Sequence, residues 1–210
     1  MSRSRSTKKR PDAYHHGDLR RALIDAALRT LTRHGVEELS LRALARDLGV
    51  SPRAPYRHFA TKEELLAAVA VSGFRASASF TEERLVAAGP DPLARLRAVG
   101  EAYVLFAVQH PAAFRIMYAP YATVNENAPE LLRARAEGHA AAMAILEDAQ
   151  RAGLVREGDP MQLALAFWST MHGLATLLIE GQLARHDRPI DAAFLATLVS
   201  GLLLDGLKRP

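Results

Sequence analysis

The side chains best equipped for chemistry crowd into one stretch, Ser51-Pro-Arg-Ala-Pro-Tyr-Arg-His-Phe59, with Ser40 and Arg42 shortly before it and Lys62 just after. Guanidinium groups make forked hydrogen bonds to guanine edges, while phenol, imidazole and ammonium groups hold phosphates. Catalytic chemistry has less to work with. The chain has no Gly-rich phosphate loop, no H-E-x-x-H and no Ser elbow, so no enzyme is expected. His110, His139 and His172 fall on different predicted helices without a carboxylate at ligand spacing, and there is no cysteine, so no metal or cofactor is expected either.

The elements that must position this stretch are helices. From Asp18, Leu19, Leu23, Ala26, Ala27 and Leu31 repeat at three and four and form one apolar stripe up to Gly35. Ser40 caps a short helix whose Leu41, Leu44, Ala45 and Leu48 point inward. Ala45 and Gly49, four apart, allow a close crossing and a sharp turn. Ser51 is placed to cap a next helix with Pro52 at its first position, where a missing N–H costs nothing. Thr61-Lys-Glu-Glu64 is a capping box that opens a further helix, with Leu65, Leu66, Val69 and Phe74 on its buried side. Two short helices about a tight turn are how a helix-turn-helix sets a recognition helix in a DNA major groove. Arg53, Ala54 and Arg57 fall early on that helix, Arg53 reaching guanine and Ala54 permitting close approach, while Ser40 and Arg42 hold the flanking backbone.

Residues 40–62 closely resemble the DNA-binding domain of the TetR family of transcriptional regulators, a resemblance extending over residues 17–77. It implies that Tyr56, His58 and Lys62 grip phosphates. The alternatives are that Tyr56 is a partly buried packing residue and that His58 caps a helix end. Phe59 reads as core. Where many members carry a branched apolar residue, this chain has Pro55, which implies a short or slightly bent recognition helix.

Charge divides the chain. Residues 1–80 hold 15 Lys and Arg against 8 Asp and Glu, and residues 81–210 hold 12 against 15. A basic front on a mildly acidic back suits a polyanion-binding part joined to a part with another task. We expect an all-α protein: a basic flexible arm over 1–16, a three-helix helix-turn-helix domain over 17–77 with its motif at 40–59, and a larger helical domain over 78–210 for ligand binding and dimerisation. Helices are predicted near 61–79, 92–109, 111–118, 128–152, 160–184 and 190–207. The uncharged stretch 163–179 is short for a membrane span and reads as a buried interface helix.

Phe167-Trp168-Ser-Thr-Met-His172-Gly173 resembles the C-terminal domain of a TetR subgroup named for Trp, His and Gly, and Tyr14-His-His-Gly-Asp-Leu19 suits the same subgroup. Trp168 and His172, one turn apart, offer an aromatic plate beside a titratable donor, and Tyr103, Phe106, Phe114, Met117 and Met143 could line the same cavity or simply fill the core. Leu174, Leu178, Phe194, Leu198 and Leu202 lie on apolar faces of the last two helices that could pair with a second copy. The expected partners are double-stranded palindromic operator DNA, a small organic effector and an identical subunit, with no membrane and a cytoplasmic location. The family habit implies a repressor; the competing expectation is an architectural or constitutive DNA-binding protein without a ligand.

Overall fold

The computed structural model describes residues 19–119, 128–183 and 190–207. The basic arm and most of the Tyr14–Leu19 motif lie outside the described residues. Eight α-helices appear among them: α1 (Leu19–His34), α2 (Leu41–Asp47), α3 (Lys62–Ala88), α4 (Pro92–Gln109), α5 (Pro111–Met117), α6 (Pro129–Arg151), α7 (Pro160–Ile179) and α8 (Ala192–Leu207), with a 3-10 turn at Pro55–Arg57. The all-α architecture is that expected.

Local signals explain the boundaries. The Ser40 hydroxyl accepts the Ala43 N–H at 3.5 Å to start α2. At its end Val50 N–H bonds to the Ala45 carbonyl at 2.9 Å and Gly49 N–H to the Arg46 carbonyl at 3.1 Å, the paired bonds of a Schellman turn. Gly49 takes φ +66°, which a side chain would resist. The Thr61 hydroxyl accepts the Glu64 N–H at 3.2 Å, and the Glu64 carboxylate reaches back to the Ala60 N–H at 2.7 Å.

α3 is longer than its sequence signals suggested. It continues nine residues past 79, to Ala88, and its 27 residues span roughly 40 Å. No Gly or Pro interrupts its later turns until Gly89, where φ +73° ends it. Its first turns pack on α1 in the core that also holds Phe59, and its later turns run beside α4 and α6. One apolar core therefore extends from Leu19 on α1 through Phe74 on α3 to Phe106 on α4, Phe114 on α5 and Ala175 on α7. α4 is the central helix of the back region, flanked by α3, α6, α7 and α8.

α7 is long and apolar enough to cross a membrane by length and composition, with a mean hydropathy of 1.3. Here one of its sides, with Leu163, Met171 and Leu174, is buried against the bundle.

Candidate functional site

The basic head presents a polar surface. Ser40, Arg42, Ser51, Pro52, Arg53, Tyr56 and Arg57 are exposed, and Ala54, His58 and Lys62 are half-buried beside them. Tyr56 is 45% exposed, so it is not packed into the core, whereas Phe59 is buried beneath the head with the Arg20 guanidinium 5.3 Å above its ring. Arg42, Arg53, Arg57 and Lys62 pair with no carboxylate among the described residues, and Arg46 meets Asp47 only at 3.8 Å in full solvent.

The recognition segment departs from expectation. In place of a short helix capped by the Ser51 side chain with Pro52 at its first position, residues 52–58 form successive turns and the 3-10 turn Pro55–Arg57. The Ser51 carbonyl accepts the Ala54 N–H at 2.9 Å, Ala54 accepts from Arg57 at 3.2 Å, and Pro55 accepts from His58 at 2.9 Å. The cause is Pro55: with no N–H it cannot bond to the Ser51 carbonyl as an α-helix requires, so the tighter three-residue spacing prevails. Its ring is below 2% exposed and fills the apolar place beneath the turn. His58 closes that turn through its backbone, and Tyr56 and Arg57 project from it into solvent.

The second feature is a cavity of about 660 Å³ bordered by α3, α4, α6, α7 and α8. Tyr103, Met143 and Trp168 line it. The Trp168 indole N–H donates to the Tyr103 hydroxyl at 3.2 Å, and that hydroxyl lies 2.7 Å from His172 Nδ1. An indole only donates, so the Tyr103 hydroxyl accepts from Trp168, and it shares one proton with His172 Nδ1. Burial pushes the Tyr103 phenol well above the usual range, raises that of Tyr118 and holds His172 below its ordinary value. His139, also below its ordinary value through burial and the Arg135 charge, stands edge-on to Trp168 at 5.7 Å between ring centres.

Four residues expected in the lining need correction. Phe106, Phe114 and Met117 are buried in the core shared with α1 and α3, because their helix faces turn towards those elements. His172 sits behind the wall, stacked on Phe114 at 5.5 Å, and acts on the cavity through Tyr103. Conversely, Phe74, Tyr118, Arg135, His139 and Phe167 border the cavity without having been singled out for it. Only aromatic periodicity pointed to Phe74 and Phe167; Arg135 on a charged helix carried no signal at all. His139 and His172 both flank Trp168, yet no group of three or more possible metal ligands gathers among the described residues.

The last two helices carry an apolar face outward. Phe194, Leu198 and Leu202 on α8 are exposed, Phe194 by 61% and Leu202 by 64%, and Leu177 on α7 joins them in solvent. Leu174 is only 8% exposed and packs inward with Met171 and Val104, and Leu178 is half-buried against the same cluster. The outward register of α7 therefore passes through Leu177 rather than Leu174.

A cationic head with an exposed tight-turn motif, backed by a helical bundle that borders a cavity, is the arrangement of a helix-turn-helix DNA-binding protein. Residues 23–69 match the family described as bacterial regulatory proteins, tetR family, and residues 96–200, half the chain, match the tetracyclin repressor-like C-terminal domain. This chain belongs to the TetR family of transcriptional regulators. It is similar to a protein of unknown function from Rhodococcus sp. RHA1, 36% identical with a TM-score of 0.84, covering 95% of this chain and 100% of that one. It is also similar to the TetR family transcriptional regulator PfmR from Thermus thermophilus, at 26% identity and TM-score 0.67, over 89% and 99% of the two chains. A 47-residue stretch is 43% identical to the HTH-type transcriptional regulator BetI of Agrobacterium fabrum (strain C58 / ATCC 33970), and spans 22% of this chain and 23% of that curated relative.

Proposed function

We propose that this protein is a dimeric, cytoplasmic repressor, not an enzyme, that holds a palindromic operator until a small organic effector enters the cavity. The observation that carries the reading is the course of α3. Its first turn presents Lys62 beside the recognition segment, and Phe74, Ser77, Ala78 and Thr81 farther along the same helix border the cavity. A helix without a break transmits a tilt from one end to the other. We place the functional units at 17–77 and 78–210, with the 1–16 arm ahead of them, and assign the back domain to the Trp-His-Gly subgroup on Phe167–Gly173.

Ser51 through His58, with Ser40, Arg42 and Lys62, would meet the DNA, Arg53, Ala54 and Arg57 entering the groove and Tyr56, His58 and Lys62 on the phosphates. Two heads are needed about 34–36 Å apart, or a multiple of that, to enter successive major grooves. The outward apolar face of α7 and α8 supports the dimer, because monomers seldom leave such a strip in water.

Release follows a mechanical path. Arg115 on α5 donates to the Glu180 carboxylate at 3.0 Å and to the Ile179 carbonyl at 2.9 Å, which ties α5 to the end of the cavity helix α7. α5 packs in turn on α1 and α3, and Gly73 on α3 leaves room for the Met117 side chain, which a Cβ there would approach to 2.9 Å. An effector that shifts α7 thereby moves the segment from His110 to Phe114, tilts α3 and separates the heads from operator register. It needs only unequal affinity for the two arrangements, about 1.4 kcal/mol for each tenfold change in operator affinity. The test is binding to duplex from the protein's own upstream region against random duplex at fixed salt, with candidate organic ligands titrated in. Operator preference relieved by ligand is expected. Equal affinity for both duplexes would make the protein architectural, and preference that no ligand relieves would make it constitutive.

A further inference from the structure

We propose that the cavity takes an organic carboxylate with an apolar body, its anionic head on the Arg135 guanidinium and its body running towards Leu204 and Leu207. This deepens the effector reading above and rests on it. The wall is uneven in chemistry. Leu85, Leu96, Ile145, Leu146, Leu204 and Leu207 make one part wholly apolar, while Tyr103, Tyr118, Arg135, His139 and Trp168 bring the polar atoms together elsewhere.

Within that polar part the neutral groups already serve one another, through the Trp168-to-Tyr103-to-His172 bonds. Arg135 is different. Its Nε is buried without a partner, and its terminal nitrogen donates to the Met117 carbonyl only at 3.4 Å. The Phe74 ring lies 6.0 Å from the guanidinium carbon, so the cation rests on an aromatic face rather than on a counter-ion, and no carboxylate pairs with it among the described residues. A guanidinium cannot shed its charge, and a buried N–H without an acceptor is costly, so the vacant partner is an acceptor, best a charged one that takes two N–H groups at once. The carboxylate is planar and matches that fork.

Arg75, Glu82 and Glu137 also border the cavity, but all three are exposed. Water screens the two carboxylates, so their pull on a cationic ligand is weaker than that of the partly buried guanidinium on an anion. The volume of about 660 Å³ sits within the range of about 300–1,000 Å³ that holds drug-sized ligands, ample for a medium-length chain with its head.

Trp168 is the one tryptophan in the chain and lines the cavity, so its fluorescence reports occupancy directly. The experiment titrates the full-length protein with decanoate, decanol and decyltrimethylammonium, equal in apolar length and different in head charge. Decanoate should perturb Trp168 saturably, with decanol at least about tenfold weaker and the cation weaker still. Arg135→Met should weaken decanoate by about tenfold while leaving decanol unchanged, and Arg135→Lys should retain part of the preference. Equal binding of decanoate and decanol, preference for the cation, no response to any of the three, or decanoate affinity indifferent to Arg135→Met would each overturn the proposal. Should Arg135→Met lose its helical circular dichroism, the head-group order on the unaltered protein decides alone. An operator-release arm separates this idea from the one beneath it. Selective decanoate binding that leaves operator affinity untouched keeps the ligand class and overturns the effector reading. Release by an uncharged ligand, with decanoate inert, does the reverse.

Discussion

The head and the cavity use polar side chains in opposite ways. On the head, Arg42, Arg53, Tyr56 and Arg57 stand in water, the three guanidinium groups with no carboxylate partner among the described residues, held out by short elements at one end of the shared core. Around the cavity, Tyr103, Trp168 and His172 are tied to one another, and burial has displaced the titration of Tyr103 and His172. The first arrangement is suited to a large, hydrated polyanion whose hold falls steeply with salt. The second is suited to a small guest for which desolvation does most of the sorting. The difference teaches that the two regions can fail separately, joined as they are through α3 and α5.

The largest expected effect is structural and confined to the head. Phe59→Ala empties the space beneath the recognition turn and should destabilise the protein by about 3–5 kcal/mol, read as a lower midpoint in urea. Arg53→Ala should cost about 1–3 kcal/mol of operator discrimination with little change in stability, whereas Lys62→Ala should weaken all duplexes alike and lower the salt slope by about one. Fluorescence anisotropy across a salt series separates the two; identical behaviour of both variants would erase the division between base and phosphate contacts.

In the cavity wall, Tyr103→Phe removes the hydroxyl that the Trp168 N–H and His172 Nδ1 share. It should cost about 1–3 kcal/mol in thermal unfolding and leave operator affinity nearly intact. Acid should act there too. His172 in the fold titrates below its ordinary 6.5, so the unfolded chain takes up the proton first; stability is full above pH 6.5 and falls as pH drops from there through the folded value. His139 contributes with the same sign. His172→Gln should flatten the fall in Tm between about pH 7.5 and about pH 5 but not abolish it. The smallest effect is at Ser40→Ala, where a cap bond of 3.5 Å predicts a loss of about 0.5 kcal/mol.

Much of the fold was legible in the amino-acid sequence because helices announce themselves locally. The stripe from Leu19 to Leu31, the caps at Ser40 and Thr61, and the turn at Gly49 each rest on neighbours a few residues away. The recognition segment misled for an equally local reason. Ser51-Pro52 carries the start signal of a helix, and Pro55, three residues on, removes the N–H that would have continued it. The cavity was harder to read. Aromatic and Met residues at helical spacing show that a face is apolar without saying whether a void or a neighbouring helix meets it, so Phe106, Phe114 and Met117 were grouped with Tyr103 and Trp168. Arg135 lies between Arg133 and Glu137 on α6, where sequence suggests only a solvated face. Leu174 and Leu177 are one turn apart, and which of them faces outward is decided by packing against α4 and α8.

Footprinting of the upstream DNA by the unaltered protein, beside the Arg53→Ala, Tyr56→Ala double variant, tests the central claim most directly. The account predicts a protected inverted repeat that vanishes in the variant while its fold persists. Protection without two-fold symmetry, or a footprint that survives both substitutions, would contradict it.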